Sequence, residues 1–383
     1  MDETRRKPLM SVLLVALAMA ALAVGLSACG SDGDSTTSGG ETAASAEGGG
    51  DSVAEAEAAV AEAEAEPTEI ASAELGSFEP EAAGTIYYVS CDPAIEGCAQ
   101  IKKGVEAATK AIGYKFEGCD QRSSDPESGP QCFTNALNAK PDAIIENGLS
   151  EEAAGSGYAD IKSAGIPLIS MFSGNKPGAA TVSVAEGDFC REIGAAQAAW
   201  SIAASGGKSN AIIPFTNEFA CTTQAKDGLV AGLEACSECK ASPFEFNVAQ
   251  ATTALPQQIQ AELLGDPEVN SVLGTFNLPP TIAAEVVEQL GRTDVQIGGM
   301  FGGAPNLEMI RKGGPQESES TNGSGEPGWV AVDAAARLMV GEELPENLPV
   351  TWITLTEKNI GGYPKGYLGA AEYEKQFEEM WGS

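Results

Sequence analysis

The sequence of 383 residues contains no histidine. Histidine is the most common general base and the most common metal ligand at neutral pH, so its absence excludes a Ser-His or Cys-His nucleophile pair and any imidazole-ligated metal site. We therefore expect a protein that is not an enzyme and that carries no metal or other cofactor. Catalysis through Asp, Glu, Lys or Tyr stays open as a less favoured alternative.

Basic residues are also scarce. The chain has 22 Lys and Arg against 55 Asp and Glu, a formal net charge of -33. A surface this acidic repels phosphate backbones and anionic lipid headgroups, so nucleic acid and anionic membrane surfaces are poor partners.

The N-terminus has the layout of a secretory signal peptide. Arg5, Arg6 and Lys7 precede an apolar run over residues 9–26, which ends in Leu26-Ser27-Ala28-Cys29-Gly30. This ending resembles the lipobox of bacterial lipoproteins. The resemblance implies a signal peptide over 1–28, lipidation of Cys29, and attachment by acyl chains to the extracytoplasmic face of the cell membrane. An uncleaved anchor helix of about 18 residues is the alternative, and a partial likeness to twin-arginine signals leaves the export route open.

Nine cysteines are present, and eight remain besides Cys29. An even number in an exported chain predicts disulfides, and sequence neighbours suggest one pairing among about 105 possible ones. A redox role for the Cys-x-x-Cys spacing at 236–239 is less favoured, because this motif follows a helical pattern instead of opening a helix. A zinc site is less favoured still. The suggested pairs are Cys91–Cys98, Cys119–Cys132, Cys190–Cys221 and Cys236–Cys239.

Residues 30–50 are rich in Gly, Ser, Thr, Ala and Asp, and residues 51–66 alternate Ala and Glu without a clear apolar face. We interpret 29–83 as the lipidated cysteine followed by a flexible, acidic tether. From residue 84 onward, short apolar strands alternate with helical segments of about ten residues or more. This alternation runs twice, which predicts an α/β protein with two doubly wound lobes built on parallel sheets.

Several short sequence segments resemble, in type and in order along the chain, segments of the type 1 periplasmic-binding-protein-like solute receptors of sugar-type ABC importers, the ribose- and galactose-binding group. They are Gly104-Val105-Glu106-Ala107-Ala108, Gly113-Tyr114, Lys140-Pro141-Asp142-Ala143-Ile144-Ile145, Ala164-Gly165-Ile166-Pro167-Leu168-Ile169, Gly228-Leu229-Val230-Ala231-Gly232-Leu233 and Ile297-Gly298-Gly299-Met300-Phe301.

The resemblance implies a hinge of three chain crossings, with lobe 1 over 84–183 and 325–343 and lobe 2 over 184–324 and 344–383. It also implies a monomeric receptor that captures a small solute and delivers it to an ABC permease. The alternative is a ligand sensor of the same fold that signals to a membrane kinase or chemoreceptor.

Ligands of open α/β sheets bind beyond the carboxyl ends of the strands. The side chains predicted there combine aromatic faces with amides, which suits an uncharged solute that is sugar-like or more apolar. Core packing for the aromatics, and turns or helix N-caps for the asparagines, are the competing interpretations. The predicted ligand-binding residues are Asp92, Ile95, Asn147, Phe172, Ser173, Phe215, Asn217, Phe276, Asn277, Phe301 and Asn322.

Two departures from the sugar-binding relatives bear on the ligand. Those relatives carry an Asp-Arg pair where this chain has Phe172-Ser173, and an acidic residue where it has Gly302. A simple pentose or hexose is therefore less favoured. A Cys91–Cys98 bridge would close the first cleft loop and lower the ordering cost of binding.

Overall fold

The computed structural model describes residues 48–382, and within these residues twelve strands form two six-stranded sheets. In chain order the strands are β1 (Thr85–Ser90), β2 (Lys115–Asp120), β3 (Ala143–Asn147), β4 (Leu168–Met171), β5 (Val182–Val184), β6 (Asn210–Phe215), β7 (Lys240–Glu245), β8 (Ser271–Leu273), β9 (Gln296–Met300), β10 (Gln316–Asn322), β11 (Asn347–Leu348) and β12 (Trp352–Thr356).

Helices cover both faces of each sheet. In the same part of the chain they are α1 (Gly48–Ala63), α2 (Glu96–Ala111), α3 (Ser128–Ala139), α4 (Gly157–Ala164), α5 (Phe189–Ala204), α6 (Ala220–Glu234), α7 (Ala251–Gly265), α8 (Leu278–Leu290), α9 (Ala304–Arg311), α10 (Glu326–Met339) and α11 (Tyr373–Met380).

The sheet of lobe 1 has the strand order β11-β5-β4-β3-β1-β2, and that of lobe 2 has β12-β10-β9-β8-β6-β7. All neighbours are parallel except β10 and β12. Every residue of β3 is buried, as a parallel strand covered on both faces requires. The predicted fold class is confirmed: two α/β lobes are built on mostly parallel sheets.

The chain passes between the lobes from β5 to α5, from β10 to α10 and from β11 to β12. The buried carboxylate of Glu326, at the start of α10, joins two of these crossings to the C-terminal segment. It accepts hydrogen bonds from the backbone nitrogen (3.3 Å) and the hydroxyl of Thr351, and from the nitrogen of Ala370 (2.8 Å). A single side chain therefore connects several hinge segments.

The assignment of 344–383 to lobe 2 is wrong in two places. Strand β11 pairs with β5 in the sheet of lobe 1. Helix α11 packs on α10 of lobe 1, where the rings of Trp329 and Trp381 stack with centroids 5.4 Å apart. Neither element has a long apolar run of its own, so only its tertiary partner decides its lobe.

The flexible tether predicted over 29–83 is wrong for its described part. Helix α1 packs against α5 and β12 of lobe 2, with Ala56 and Val60 each only 6% exposed. These two residues lie four positions apart and therefore share one helix face, so the Ala-Glu pattern does provide a narrow apolar stripe. The next residues reach lobe 1, where Arg337 donates to the carbonyl oxygens of Leu75 and Gly76.

The predicted signal peptide and Cys29 lie outside the described residues. Within 48–382, no helix combines the length and the apolar character needed to cross a bilayer. The same residues contain four disulfides, and their pairs are those suggested by sequence neighbours: Cys91–Cys98, Cys119–Cys132, Cys190–Cys221 and Cys236–Cys239.

Candidate functional site

The carboxyl ends of the strands in the two lobes face each other, and the lobes touch there. A Cβ atom added to Gly174, which follows β4, would lie 2.3 Å from the Cβ of Ala220 at the start of α6. On the other side, Oε2 of Glu96 in lobe 1 lies 3.4 Å from the backbone nitrogen of Ala304 in lobe 2. The structure therefore shows the lobes in contact on both sides of the cleft.

A cavity of about 170 Å³ lies at the Glu96–Ala304 contact, with walls from both lobes. Lobe 1 contributes the start of α2, and lobe 2 contributes the segments after β8 and β9, helix α9, the end of β10 and residues 364–367. The lining side chains and backbone groups belong to Glu96, Gly97, Gln100, Asn277, Phe301, Gly302, Gly303, Ala304, Leu307, Arg311, Thr321, Asn322, Ser324, Pro364, Lys365, Gly366 and Tyr367.

Three of the predicted residues line this cavity, namely Asn277, Phe301 and Asn322. Asn277 is exposed and precedes α8 without capping it through its side chain. Phe301 is half-buried, and its backbone has a positive φ of 56°. The amide nitrogen of Asn322 donates to the carbonyl oxygen of Gly323 at 2.8 Å, so part of the hydrogen-bonding capacity of its side chain is already used by the neighbouring backbone.

The first cleft loop of lobe 1 carries Asp92 and Ile95. Both carboxylate oxygens of Asp92 accept backbone hydrogen bonds, from Ala94 at 2.9 Å and Ser123 at 2.7 Å. These bonds lower the pKa of Asp92, the Ser123 bond first, and they hold the loop. Ile95 is 52% exposed directly before α2 and leaves a large apolar side chain uncovered at the cleft mouth.

Asn147, at the end of β3, is turned into lobe 1. Its side chain is 2% exposed, and its amide nitrogen donates to Tyr88 Oη and Cys91 Sγ, both at 3.2 Å. The structure thus gives Asn147 a role in supporting the loop of the Cys91–Cys98 bridge.

The Phe172-Ser173 pair follows β4. Phe172 is half-buried with a φ of 53°, and its ring centroid is 6.1 Å from that of Phe189 in α5. The hydroxyl of Ser173 donates to Glu146 at 2.6 Å and is buried. Ser173 therefore supports the wall of the cleft from behind.

In lobe 2, Phe215 lies under Lys226, whose Nζ is 5.3 Å from the ring centroid. Asn217 is exposed directly after β6. Phe276 stacks on Phe246 with centroids 6.0 Å apart and meets Phe219 edge-on at 6.4 Å. These three predicted residues do not line the cavity.

Sequence reasoning missed the lining side chains of Glu96, Gln100, Lys365 and Tyr367. Glu96 and Gln100 lie one turn apart at the start of α2, which follows the carboxyl end of β1. The rule that ligands bind beyond the carboxyl ends of strands, the strand-end rule, therefore identifies both residues once the start of the helix is known. Tyr367 comes from a C-terminal loop without a strand, so no local pattern identifies it. Its hydroxyl donates to Thr351 at 2.6 Å, which connects the cavity wall to the hinge.

Buried carboxylates lie behind the cleft in both lobes. Burial raises the pKa of Glu146 to about 7, although the hydroxyls of Ser170, Ser173 and Tyr158 donate to it. Burial also raises the pKa of Glu186 to about 7 and that of Glu319 to about 8. These groups therefore change charge close to neutral pH.

A larger hollow of about 630 Å³ lies elsewhere, between α1, α5 and the ends of β10 and β12 in lobe 2. It is at the amino end of β10, opposite the cleft.

Among the described residues, no group of three or more His, Cys, Asp or Glu side chains is arranged to hold a metal ion.

Residues 86–343 match the family model described as a periplasmic binding protein domain. The match covers more than half of the chain, so this chain belongs to that family, whose members are extracytoplasmic solute-binding proteins and not enzymes. The recognition made from the sequence is thereby confirmed. No curated protein matches the sequence.

Solved structures with the same fold include subunits of ABC transporters and a sugar-binding protein. An ABC sugar transporter subunit from Rhodobacter sphaeroides is 20% identical, with a TM-score of 0.64 over 72% of this chain and 99% of its own. A solute-binding protein from Agrobacterium vitis with bound allitol is 19% identical, with a TM-score of 0.64 over 73% and 97%. A glucose-galactose binding protein from Geobacillus stearothermophilus is 21% identical, with a TM-score of 0.65 over 73% and 99%.

Proposed function

We propose that this chain is a lipid-anchored, extracytoplasmic receptor that captures a small uncharged solute and delivers it to an ABC permease. The observation that carries the proposal is the cavity lined from both lobes at the carboxyl ends of their strands. A solute in this cavity touches both lobes only when they are closed, so binding favours the closed form.

The cavity lining favours a hydroxyl-bearing solute with an apolar face. Asn277, Gln100 and Thr321 offer amide and hydroxyl groups, and Phe301 offers an aromatic face. The charged lining groups already have partners in part: Arg311 donates to the carbonyl oxygen of Tyr363, and Glu96 lies against the start of α9. Polyols and sugar-like solutes such as those named for the similar solved structures fit this chemistry, with a simple hexose less favoured because Phe172-Ser173 stands in place of the Asp-Arg pair of the sugar-binding relatives.

A thermal-shift series with allitol, D-glucose and D-galactose tests the proposal on the purified protein. A bound solute stabilises the folded form by RT ln(1 + [L]/Kd), so Tm rises with solute concentration. Phe301→Ala should reduce the rise, while Leu264→Ala, which removes an apolar side chain 63% exposed on α7, should leave it unchanged. No rise with any polyol or sugar, or recovery of a chemically altered solute, contradicts the proposal.

The anchor is tested separately, because it depends on residues before the described part of the chain. Cys29→Ser removes the thiol that would carry the acyl chains, so an alkyne-tagged fatty acid fed to the cells should label the unsubstituted protein and not the variant. An unsubstituted protein that lies in the membrane fraction without this label speaks against lipid anchoring and for an uncleaved anchor helix.

A further inference from the structure

The turns after β4 and β9 occupy equivalent places in the two lobes. Strand β4 is the third strand of its sheet and lies between β5 and β3. Strand β9 is the third strand of the other sheet and lies between β10 and β8. Each is followed by a phenylalanine with positive φ, Phe172 at 53° and Phe301 at 56°. The nitrogen of each phenylalanine donates to the adjacent strand, to Val184 O at 3.4 Å and to Ser320 O at 3.1 Å.

A buried glutamate from that adjacent strand or its end holds each turn. Oε2 of Glu186, two residues after β5, accepts from the nitrogen of Gly174 at 2.9 Å, and its Oε1 accepts from the nitrogen of Ser173. Oε1 of Glu319, in β10, accepts from the nitrogen of Gly302 at 2.6 Å. The two lobes therefore repeat one arrangement with different residues.

The hydrogen bonds from the turn to the glutamate offset the conformational cost of the positive φ at each phenylalanine. A positive φ is unfavourable for a bulky residue such as phenylalanine and persists only where the surroundings hold it. Charge-assisted hydrogen bonds from backbone N–H groups to a carboxylate are roughly twice as strong as neutral ones. The glutamates supply such bonds one or two residues after each phenylalanine.

We propose that Glu186 and Glu319 are positioning residues for solute binding, each fixing the turn that presents a phenylalanine at one side of the cleft. This inference rests on the proposed function, since it concerns the same cleft. Neither glutamate lines the cavity. Glu319 acts through Phe301 and Gly302, which do line it, and Glu186 acts through the turn at Gly174, which meets Ala220 of lobe 2 where the lobes touch.

The groups around Glu186 and Glu319 make their support of the two turns sensitive to pH. Glu186 faces Glu146 of β3, whose charge raises the pKa of Glu186 after the larger effect of burial. Glu146 in turn accepts from the hydroxyl of Tyr158 in α4. Glu319 faces the neutral amide of Gln316, which donates to its Oε2. Protonation near neutral pH weakens the carboxylates as acceptors and loosens the turns locally, while the relief of a buried charge stabilises the fold as a whole.

Fluorine NMR on the full chain labelled with 4-fluorophenylalanine tests the inference without any solute. Phe172→Leu and Phe301→Leu assign the two resonances. In the unsubstituted protein, each resonance should shift between pH 6 and 9 with an inflection. Glu186→Gln should abolish the inflection of Phe172 only, and Glu319→Gln that of Phe301 only. Glu106→Gln, at an exposed position on α2, should change neither.

Glutamine keeps an acceptor and nearly the same shape, so these variants are expected to fold. Glu186→Ala and Glu319→Ala remove the acceptor and should move the same resonances at every pH. Inflections that persist in the glutamine variants, or a single glutamine variant that removes both, overturn the inference.

The link to binding uses the same variants and the solutes allitol, D-glucose and D-galactose. For a solute that raises Tm, the pH dependence of its Kd between pH 6 and 9 should be reduced in each glutamine variant and unchanged in Glu106→Gln. An unchanged dependence in the glutamine variants also overturns the inference. If no solute raises Tm, the proposed function fails, while the resonances still decide whether the glutamates position the phenylalanines.

Discussion

The turn at Phe172 in lobe 1 and the turn at Phe301 in lobe 2 have the same backbone shape but different supports. In lobe 1 the next residue is Ser173, whose hydroxyl reaches a second carboxylate, that of Glu146. In lobe 2 the next residue is Gly302, where a Cβ atom would lie 2.5 Å from Cδ of Glu319. In both lobes a glutamate holds the backbone of the turn, Glu186 in lobe 1 and Glu319 in lobe 2. Lobe 1 has in addition the Ser173 side chain as a spacer that reaches Glu146, whereas the close approach of Glu319 leaves no room for a side chain in lobe 2.

The difference teaches that an equivalent position in two related lobes need not tolerate the same residue. The space under the turn, set by how close the carboxylate lies, decides which side chain fits. Three experiments test this comparison, and a fourth extends it to an asparagine at a strand end of each lobe.

The largest effect is expected in the pH dependence of stability. The carboxyls of Glu146, Glu186 and Glu319 have an ordinary pKa of 4.5, raised in the folded protein to about 7, 7 and 8. The folded state therefore holds these protons more tightly than the unfolded state, and stability falls as pH rises from about 4.5 toward 8. Each unit of pKa corresponds to about 1.4 kcal/mol.

Urea unfolding between pH 5 and 8.5 measures this slope. Glu146→Gln should flatten it up to about pH 7, and Glu319→Gln should flatten it up to about pH 8, as the raised values imply. The exposed Glu106→Gln corrects for the change in net charge. Equal slopes in all four proteins would show that the buried carboxyls do not set the pH dependence.

The next largest effect is expected from Gly302→Ser, which puts the residue of the lobe 1 turn into lobe 2. The new side chain would meet Glu319 and Asn306, whose Cβ lies 2.9 Å from the added Cβ position. Overpacking of this kind costs about 1–3 kcal/mol in the free energy of unfolding. Urea unfolding at pH 7 measures it. Gly265, the exposed last residue of α7, has open space around its Cβ position and no positive φ, so Gly265→Ser is the contrast and should cost far less.

A smaller loss is expected from Ser173→Ala, which removes the spacer of lobe 1. Glu146 keeps the hydroxyls of Ser170 and Tyr158 as donors, so only part of its hydrogen bonding is lost. Removing one hydrogen bond to a charged group costs about 1.5–3 kcal/mol, and we expect the low end. Urea unfolding that shows no loss would mean that Ser173 is not a necessary spacer.

The smallest effect is expected from Asn217→Ala in lobe 2. Asn217 is exposed, so its removal should change stability by less than about 0.5 kcal/mol. Asn147→Ala in lobe 1 is the contrast, since it removes a buried donor to Tyr88 and should cost about 1 kcal/mol. Thermal unfolding of both variants decides whether these asparagines differ in the predicted way.

Local patterns were sufficient for the regular parts of the fold. The alternation of short apolar strands with helices was predicted from residue 84 onward and is observed, for example in α5 (Phe189–Ala204) and β8 (Ser271–Leu273). Such segments carry their own apolar periodicity. Strands β5 and β11 escaped prediction because they lack adjacent apolar residues: Ser183 separates the two valines of β5, and β11 has only Leu348, whereas β8 has Val272 next to Leu273.

The candidate site was predictable only in part. The strand-end rule found Phe301, Asn277 and Asn322, which line the cavity. It could not find Tyr367, which reaches the cleft from a loop near the C-terminus, nor Glu186 and Glu319, whose importance lies in the backbone nitrogens they hold. No spacing along the chain reports where a backbone N–H group points after folding.

The sequence by itself determined the repeated alternation of strand and helix, and with it two lobes whose strand ends form a cleft, because period and apolar runs are local properties. Only the tertiary structure decided that α1 packs on lobe 2, that α11 packs on lobe 1, and that buried carboxylates support the cleft from behind. These features depend on contacts between segments far apart in the chain, whose free energy is gained only when both surfaces meet.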